Sequence, residues 1–433
     1  MKAGEIRQIA DTVRAERCTE LAATLVDIPS LTGNEQPIAE CMHRLLTGMD
    51  IGSFMQEFEP GRYNTIGRLN GKGNGATLLL NGHMDISFAG TEAYLPKAPG
   101  YQPKAVIKDG WIHGMGVHNM KGGCAAFLAA VEAVRRSGVE LTGNVVMAFV
   151  GGEIERHSVI HYQGPSYRGG GCGTRHWVSN GGIADMAVVG EPTRMMLINE
   201  HVGSVGVRIT TLGKPAPLRV ADHGDDAIRK MRVLIDAFDT YAADYSRRHE
   251  YKGKRASVHM HSIEGGWPYR CNRVPIFCHV FLEFRILPDQ SINEIPLEVE
   301  RLLKMVHARQ PGIAFETEFF VTLPPAGDSS TSVVAGHMRS AHQSVTGKLP
   351  EEGVGLFLSD AGHLQAYGIP CVNYGPSGRT MTGKENWDPD VGEHLSIEDL
   401  TETAKVYTAL ILDICTKTRE ELGLRVLPAI QGG

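Results

Sequence analysis

The sequence predicts an α/β layered domain interrupted by a smaller α+β module. Apolar, strand-like runs alternate with amphipathic helical stretches up to about residue 200. From about 203 to 320 the texture changes to alternating strands with two helices, and the first pattern then returns. A chain of 433 residues, 42% hydrophobic and 21% charged, also exceeds what one core usually supports. Two domains are expected, one discontinuous over 1–202 and 323–433, the other inserted over 203–322.

In chain order, the N-terminal stretch reads as helix and "ATLLLNG" (76–82) as a buried strand. In "MKGGCAAFLAAVEAVRRSG" (120–138), Cys124, Phe127, Leu128, Val131 and Val134 share one helical face, which is expected to pack on the sheet. "NVVMAFVGG" (144–152) and "ADMAVVGEPT" (184–193) supply further strands. The insert opens with "GSVGVRITTLG", and Ile228, Met231, Leu234, Ile235 and Phe238 then mark one side of a helix. "NRVPIFCHVFLEFRILP" and a second helix complete the insert. Beyond it, "GIPCVNYGP" reads as strand and loop, and "SIEDLTETAKVYTALILDIC" as a closing helix with Ser396 as its N-cap.

A formal net charge of -6 offers no basic field for nucleic acid or an anionic membrane surface, so small molecules are the expected partners. The opening "MKAGEIRQIADTVRAERC" mixes charges throughout, and no apolar run is long enough to cross a bilayer, which predicts a cytoplasmic protein. The eight cysteines form no CxxC pair and are expected to be mostly buried thiols.

Ligands in open α/β sheets bind outside the carboxyl ends of strands, and ligand-type side chains stand at those ends here. His83 and Asp85 in "NGHMD" suit a metal-bound imidazole oriented by a carboxylate through its other nitrogen, although alone they also suit a turn. His118 and Asn119 precede Lys-Gly-Gly, where Asn119 also reads as a helix cap. Glu153 and Glu155 follow "VVMAFVGG" as site residues or solvated loop charges, and Glu191 sits in "VVGEPT" as ligand or turn residue before Pro192. Four consecutive strand ends bearing such residues form a more specific pattern than any one of them.

The segments "GHMD", "GMGVHNMKGG", "VGGEIE" and "VVGEPT", with "TLGKPAP", "CNRVP" and "EFRILP" in the insert, resemble the metallopeptidase M20 family of aminoacylases, carboxypeptidases and deacetylases. The similarity runs from about residue 25 to the last helix. It implies a zinc-exopeptidase-like α/β sandwich catalytic domain with a two-metal centre. It also implies a ferredoxin-like inserted lid that dimerises and lends residues to its partner's site. On this resemblance His83 and Glu191 hold the first metal and Asp85 orients the histidine.

Several positions depart from the family pattern. The family's bridging aspartate is Asn119, whose neutral amide is a poor bridge between two cations. The family's Glu-Glu pair falls on Glu153 and Ile154, which keeps the general base and loses a ligand of the second metal. A shifted register makes Glu153 the ligand and leaves Gly152 at the base, but requires a gap. Counting back from Glu393 puts Pro389 or Asp388 at the family's C-terminal histidine, with His394 out of place. The simplest expectation is one divalent ion per subunit, Mn²⁺ or Zn²⁺, held by His83, Asn119 and Glu191. His118, Glu155 and Asp388 remain as second-site or outer positions. The lid histidine that stabilises an oxyanion is replaced by Pro217, with His223 or Arg219 as substitutes. Asn272 and Arg285 match lid positions, and Arg285 suits a substrate carboxylate as a bidentate clamp.

The expected activity is hydrolysis of a C–N bond in a small acidic substrate, with Glu153 taking a proton from a metal-activated water. Loss of the carbonyl-oxygen donor fits an aromatic amine exchanged for hydroxyl, as in the branch of the family that converts 5-nitroanthranilate to 5-nitrosalicylate. One alternative is a conventional amidohydrolase acting on N-acyl amino acids or dipeptides, with His118 or Asp388 restoring a second metal. Another is a catalytically degenerate small-molecule binder, for which Glu153 has no use. The resemblance implies a homo-oligomer, at least a dimer through the lid.

Overall fold

The computed structural model describes residues 1–154, 157, 159, 168–376 and 388–426. They form two compact units, Met1–Glu200 with Asp328–Gly353 and Ser359–Gly433, and His201–Gly327 with Val354–Leu358.

The first unit is built on an eight-stranded sheet in the order Gly52–Glu59, Arg62–Leu69, Asn144–Val150, Thr77–His83, Met186–Val189, Cys371–Asn373, Leu197–His201 and Glu352–Gly355. Its middle is parallel: Thr77–His83 pairs in parallel with both Asn144–Val150 and Met186–Val189, which pairs likewise with Cys371–Asn373. Strands buried on both faces read as continuous apolar runs, as "TLLL" and "NVVMAFV" do. Leu78 and Leu80 enter the main core with the helices Gly122–Ser137 and Ile397–Cys415. Alternation turns Asn81 to the opposite face, where its amide donates to the Thr174 hydroxyl at 3.0 Å on the helix Cys172–Ser179.

The expected face of the helix Gly122–Ser137 is in that core, with Cys124, Phe127, Leu128, Val131 and Val134 all buried. This helix begins two residues later than the sequence suggests, because Asn119 and Met120 have non-helical dihedrals. It approaches the strand ends through glycines. A Cβ at Gly123 would run into the Gly190 carbonyl oxygen, and one at Gly82 would stand 2.8 Å from the Cys124 sulfur. Ser396 caps the closing helix as expected, its hydroxyl accepting from the Asp399 N–H at 3.3 Å. Six cysteines are buried, Cys172 is half-buried and Cys271 exposed.

The second unit runs strand, helix, strand, strand, helix, strand: Gly203–Leu212, Ala227–Arg248, Ser257–Gly265, Phe277–Ile286, Ile295–Arg309 and Phe315–Leu323. Its sheet is antiparallel in the order Ser257–Gly265, Phe277–Ile286, Gly203–Leu212, Phe315–Leu323, the ferredoxin-like arrangement. Asp226 caps the first helix by accepting from the N–H groups of Ile228 and Arg229. Met231, Leu234, Phe238, Tyr241 and Tyr245 form its buried stripe. Ile228, expected on that stripe, is 43% exposed. It lies over the end of the edge strand at Gly265, which has no side chain to cover it. Among the described residues no helix is long and apolar enough to cross a membrane.

Gly123→Ala tests the close crossing of helix and strand. Overpacking there is expected to destabilise the protein by about 1–3 kcal/mol, read as a lower melting temperature. An unchanged melt would show that the crossing has slack.

Candidate metal centre

His83 is the last residue of its strand and fully buried. Its Nδ1 lies 3.0 Å from the backbone carbonyl oxygen of Asp85. A carbonyl only accepts, so Nδ1 carries the proton. Burial pushes the imidazole pKa down, against the opposing pull of Asp85 and Asn119, and favours the neutral ring. The lone pair on Nε2 then faces Asn119 Oδ1 at 3.0 Å, Glu153 Oε2 at 3.6 Å and Glu191 Oε1 at 4.0 Å. One ligand atom each from His83, Glu153 and Glu191 falls within 4.8 Å of the others. Donors about 2.1 Å from a shared ion stand roughly 3–4 Å apart, so this nitrogen and these oxygens fit a divalent cation.

Asp85 does something other than the sequence suggests. Its backbone carbonyl, not its carboxylate, takes the imidazole hydrogen bond, and the nearest carboxylate oxygen is 3.7 Å from Nδ1. The carboxylate instead accepts from the Thr32 hydroxyl at 2.8 Å and from the backbone N–H groups of Glu153 and Ile154 at 3.1 Å each. The parallel pairing of His83 with Val150 brings the Glu153 turn alongside Asp85. Asp85 therefore holds the backbone of that turn.

Asn119 is not a helix cap. The cap position is Lys121, and the Asn119 side chain faces His83 across a short turn, Val117–Lys121, with a cis peptide between Asn119 and Met120. Glu393 fixes this turn by accepting from the backbone N–H groups of both His118 and Asn119 at 3.1 Å. Burial pushes the Glu393 carboxyl up to about 7 despite those bonds. Lys121, also buried, donates to the Ile28 carbonyl at 2.8 Å, and burial pushes its pKa down to about 7. Sequence reasoning missed both residues. Glu393 served only as a counting mark, and nothing local in "GEHL" announces a carboxylate bound to a backbone turn nearly three hundred positions earlier.

The remaining expected residues separate into several groups. Burial, with His394 nearby, pushes the His118 imidazole down to about 4, and its ring is outside the ligand group. Asp388 is buried and accepts from the Asp390 N–H at 3.0 Å; among the described residues it joins no group of three ligand side chains. Glu155 lies outside the described residues. In the second unit, Arg285 pairs with Glu283 at 2.9 Å, and Glu283 also accepts from the Ser204 hydroxyl at 2.8 Å. Pro217 bridges Arg273, beside the exposed Asn272, and His223 ends the exposed turn Leu218–His223.

Comparison with known proteins adds relatives of nearly full length. An N-formyl-4-amino-5-aminomethyl-2-methylpyrimidine deformylase of Bacillus subtilis is 24% identical over 435 residues, covering 94% of this chain and 96% of its own. A succinyl-diaminopimelate desuccinylase of Cereibacter sphaeroides is 26% identical over 409 residues, covering 92% and 98%. A tripeptidase of Staphylococcus aureus shares the fold with a TM-score of 0.72 at 18% identity, over 94% of this chain and all of its own. A Bacillus subtilis protein described as a dinuclear metal-binding peptidase of the M20 family does so with a TM-score of 0.61 at 15% identity, over 93% and 98%. Residues 79–413, spanning all the ligand atoms above, match the model of peptidase family M20/M25/M40, and the chain belongs to that family of hydrolases acting on carbon–nitrogen bonds.

Proposed function

We propose that the protein is a one-metal hydrolase of a carbon–nitrogen bond in a small acidic substrate. His83, Asn119 and Glu191 hold Mn²⁺ or Zn²⁺, and Glu153 is the general base. The observation that carries this reading is the approach of three side-chain oxygens to the unprotonated nitrogen of His83. A bound divalent ion lowers the pKa of water and stabilises developing negative charge. The Glu153 carboxylate, held by its backbone to Asp85, takes a proton from the attacking water and returns it to the leaving nitrogen. A second ion lacks charged donors at Asn119 and Ile154, where the resemblance puts carboxylates.

The proposed bond is the exocyclic amine of an electron-poor aromatic acid, as in 5-nitroanthranilate. Keeping the base while a proline stands at the lid histidine position suits attack on a ring carbon, whose charge spreads into the ring rather than onto a carbonyl oxygen. Arg285 is the candidate clamp for the substrate carboxylate. Conventional amide cleavage is the second reading, favoured by the deformylase and desuccinylase relatives. Homo-oligomerisation through the inserted unit and a cytoplasmic location belong to both readings.

Elemental analysis after reconstitution with Mn²⁺ or Zn²⁺ is expected to give one ion per chain. Ammonia should then appear from 5-nitroanthranilate while N-acetyl amino acids stay intact; two ions with acyl cleavage would establish the second reading instead. Glu153→Gln should keep its ion and lose turnover by about 10²–10⁴-fold, whereas loss of the ion would make Glu153 a ligand. Asn119→Asp combined with Ile154→Glu restores two carboxylates and should raise the ion content towards two. Unchanged content in that variant would sink the account of the second site.

A further inference from the structure

The two glycines before the proposed base lie against a buried ion pair to which the mechanism above assigns no role. Arg62 is 1% exposed and Glu35 fully buried. The guanidinium grips Glu35 with two parallel bonds, Nε to Oε2 at 2.9 Å and Nη2 to Oε1 at 2.5 Å. Its Nη1 donates to Glu59 Oε2 and to the Arg168 carbonyl, each at 2.7 Å, and the Phe58 ring lies 4.8 Å from its central carbon. Gly152 has φ of 67°, and a Cβ there would stand 2.7 Å from Arg62 Nη2. A Cβ on Gly151 would meet Glu35 Cγ at 3.0 Å and Phe58 at 3.1 Å.

Both sides of the Glu153 backbone lead back to this pair. Beyond Arg168, the Gly170 N–H donates to the carbonyls of Glu153 at 3.1 Å and Ile154 at 3.2 Å. On the other side Glu35 accepts from the Gly33 N–H at 2.9 Å. Thr32, next in the chain, sends its hydroxyl to Asp85, which holds the N–H groups of Glu153 and Ile154. Burying an arginine and a carboxylate costs much of what their attraction returns, so such a pair is a weak device for stability alone. A planar guanidinium with fixed donor directions is a good device for geometry.

We propose that Arg62, clamped by Glu35, is the positioning residue for Glu153. It sets where the turn Gly151–Gly152 lies, and so where the carboxylate of Glu153 reaches. The inference rests on the reading of Glu153 as the base. A lysine at position 62 keeps the charge and loses the fork, which separates geometry from electrostatics.

The test uses full-length Arg62→Lys and Glu35→Gln proteins loaded with Mn²⁺, assayed on 5-nitroanthranilate, or on an N-acetyl amino acid if the second reading holds. The expected result is a fall in kcat of about 10- to 100-fold, with KM within about threefold and ion content unchanged. The acid limb of the pH profile should shift. Amide hydrogen exchange should rise at Glu153 and Ile154 and stay unchanged in the strand Asn144–Val150. A lower melting temperature with kcat, acid limb and exchange at those two amides unchanged would reduce the pair to a structural contact and overturn the proposal. Should Arg62→Lys fail to fold, Glu59→Gln removes only the outer arm; the same local rise in exchange is then expected, and its absence overturns the proposal. Full turnover by Glu153→Gln would remove the base assignment itself, whereas the exchange readout reports on the positioning contact alone.

Discussion

At His83 one ring nitrogen gives its proton to the Asp85 carbonyl, and the other faces the oxygens of Asn119, Glu153 and Glu191. In this tautomer the second nitrogen has no hydrogen to offer those acceptors. A buried cluster of that kind is costly as it stands and favourable around a cation. The carbonyl that fixes the tautomer thus decides what the site can bind, because a proton moved to Nε2 would satisfy Asn119 and remove the ligand nitrogen.

Four segments meet to make the cluster, and two of its turns are held by carboxylates from elsewhere in the chain. The Gly123 crossing lets the helix Gly122–Ser137 come against the end of Met186–Val189, which brings the Asn119 turn close to Glu191. Glu393 holds that turn through two N–H groups, and the Asp85 carboxylate holds the turn of Glu153 through two others. Carboxylates that grip the backbone fix the turns from which the side chains of Asn119 and Glu153 reach His83, the usual office of groups around a metal site.

Much of this was legible in the sequence. Continuous apolar runs located the central strands and helical periodicity the faces of the helices, because burial of both sheet faces leaves few other readings for "TLLL" or "NVVMAFV". His83, Glu153 and Glu191 stood out because strand ends in parallel sheets converge; Asn119, expected at a fourth such end, comes instead from the turn Val117–Lys121 that leads into the helix Gly122–Ser137. What stayed hidden depends on contacts between distant segments. Glu393 and Arg62 look like surface charges until the fold places them in the interior, and no spacing rule pairs Arg62 with Glu35. Asp85 was recognised and its atom misjudged, since a two-residue separation allows either its carbonyl or its carboxylate to reach the ring. Ile228 followed the helical period, but the neighbouring strand ends there in a glycine.

Charge balance ties the altered positions together. With Glu153 and Glu191 ionised, the cluster carries two negative charges around a neutral imidazole and a neutral amide. One divalent ion neutralises them. The family pattern adds two further carboxylates, at the positions of Asn119 and Ile154, and two further negative charges call for a second divalent ion. Replacing both carboxylates while keeping two ions would leave net positive charge in a buried site, and replacing neither while keeping one ion would leave net negative charge; either state is penalised by desolvation. On the proposed one-metal reading, the residues at 119 and 154 act as a pair, removing as much negative charge as a second divalent ion would bring positive. With Glu191 as ligand and the ionised base Glu153 beside it, one divalent ion is the composition that leaves the cluster as a whole electrically neutral.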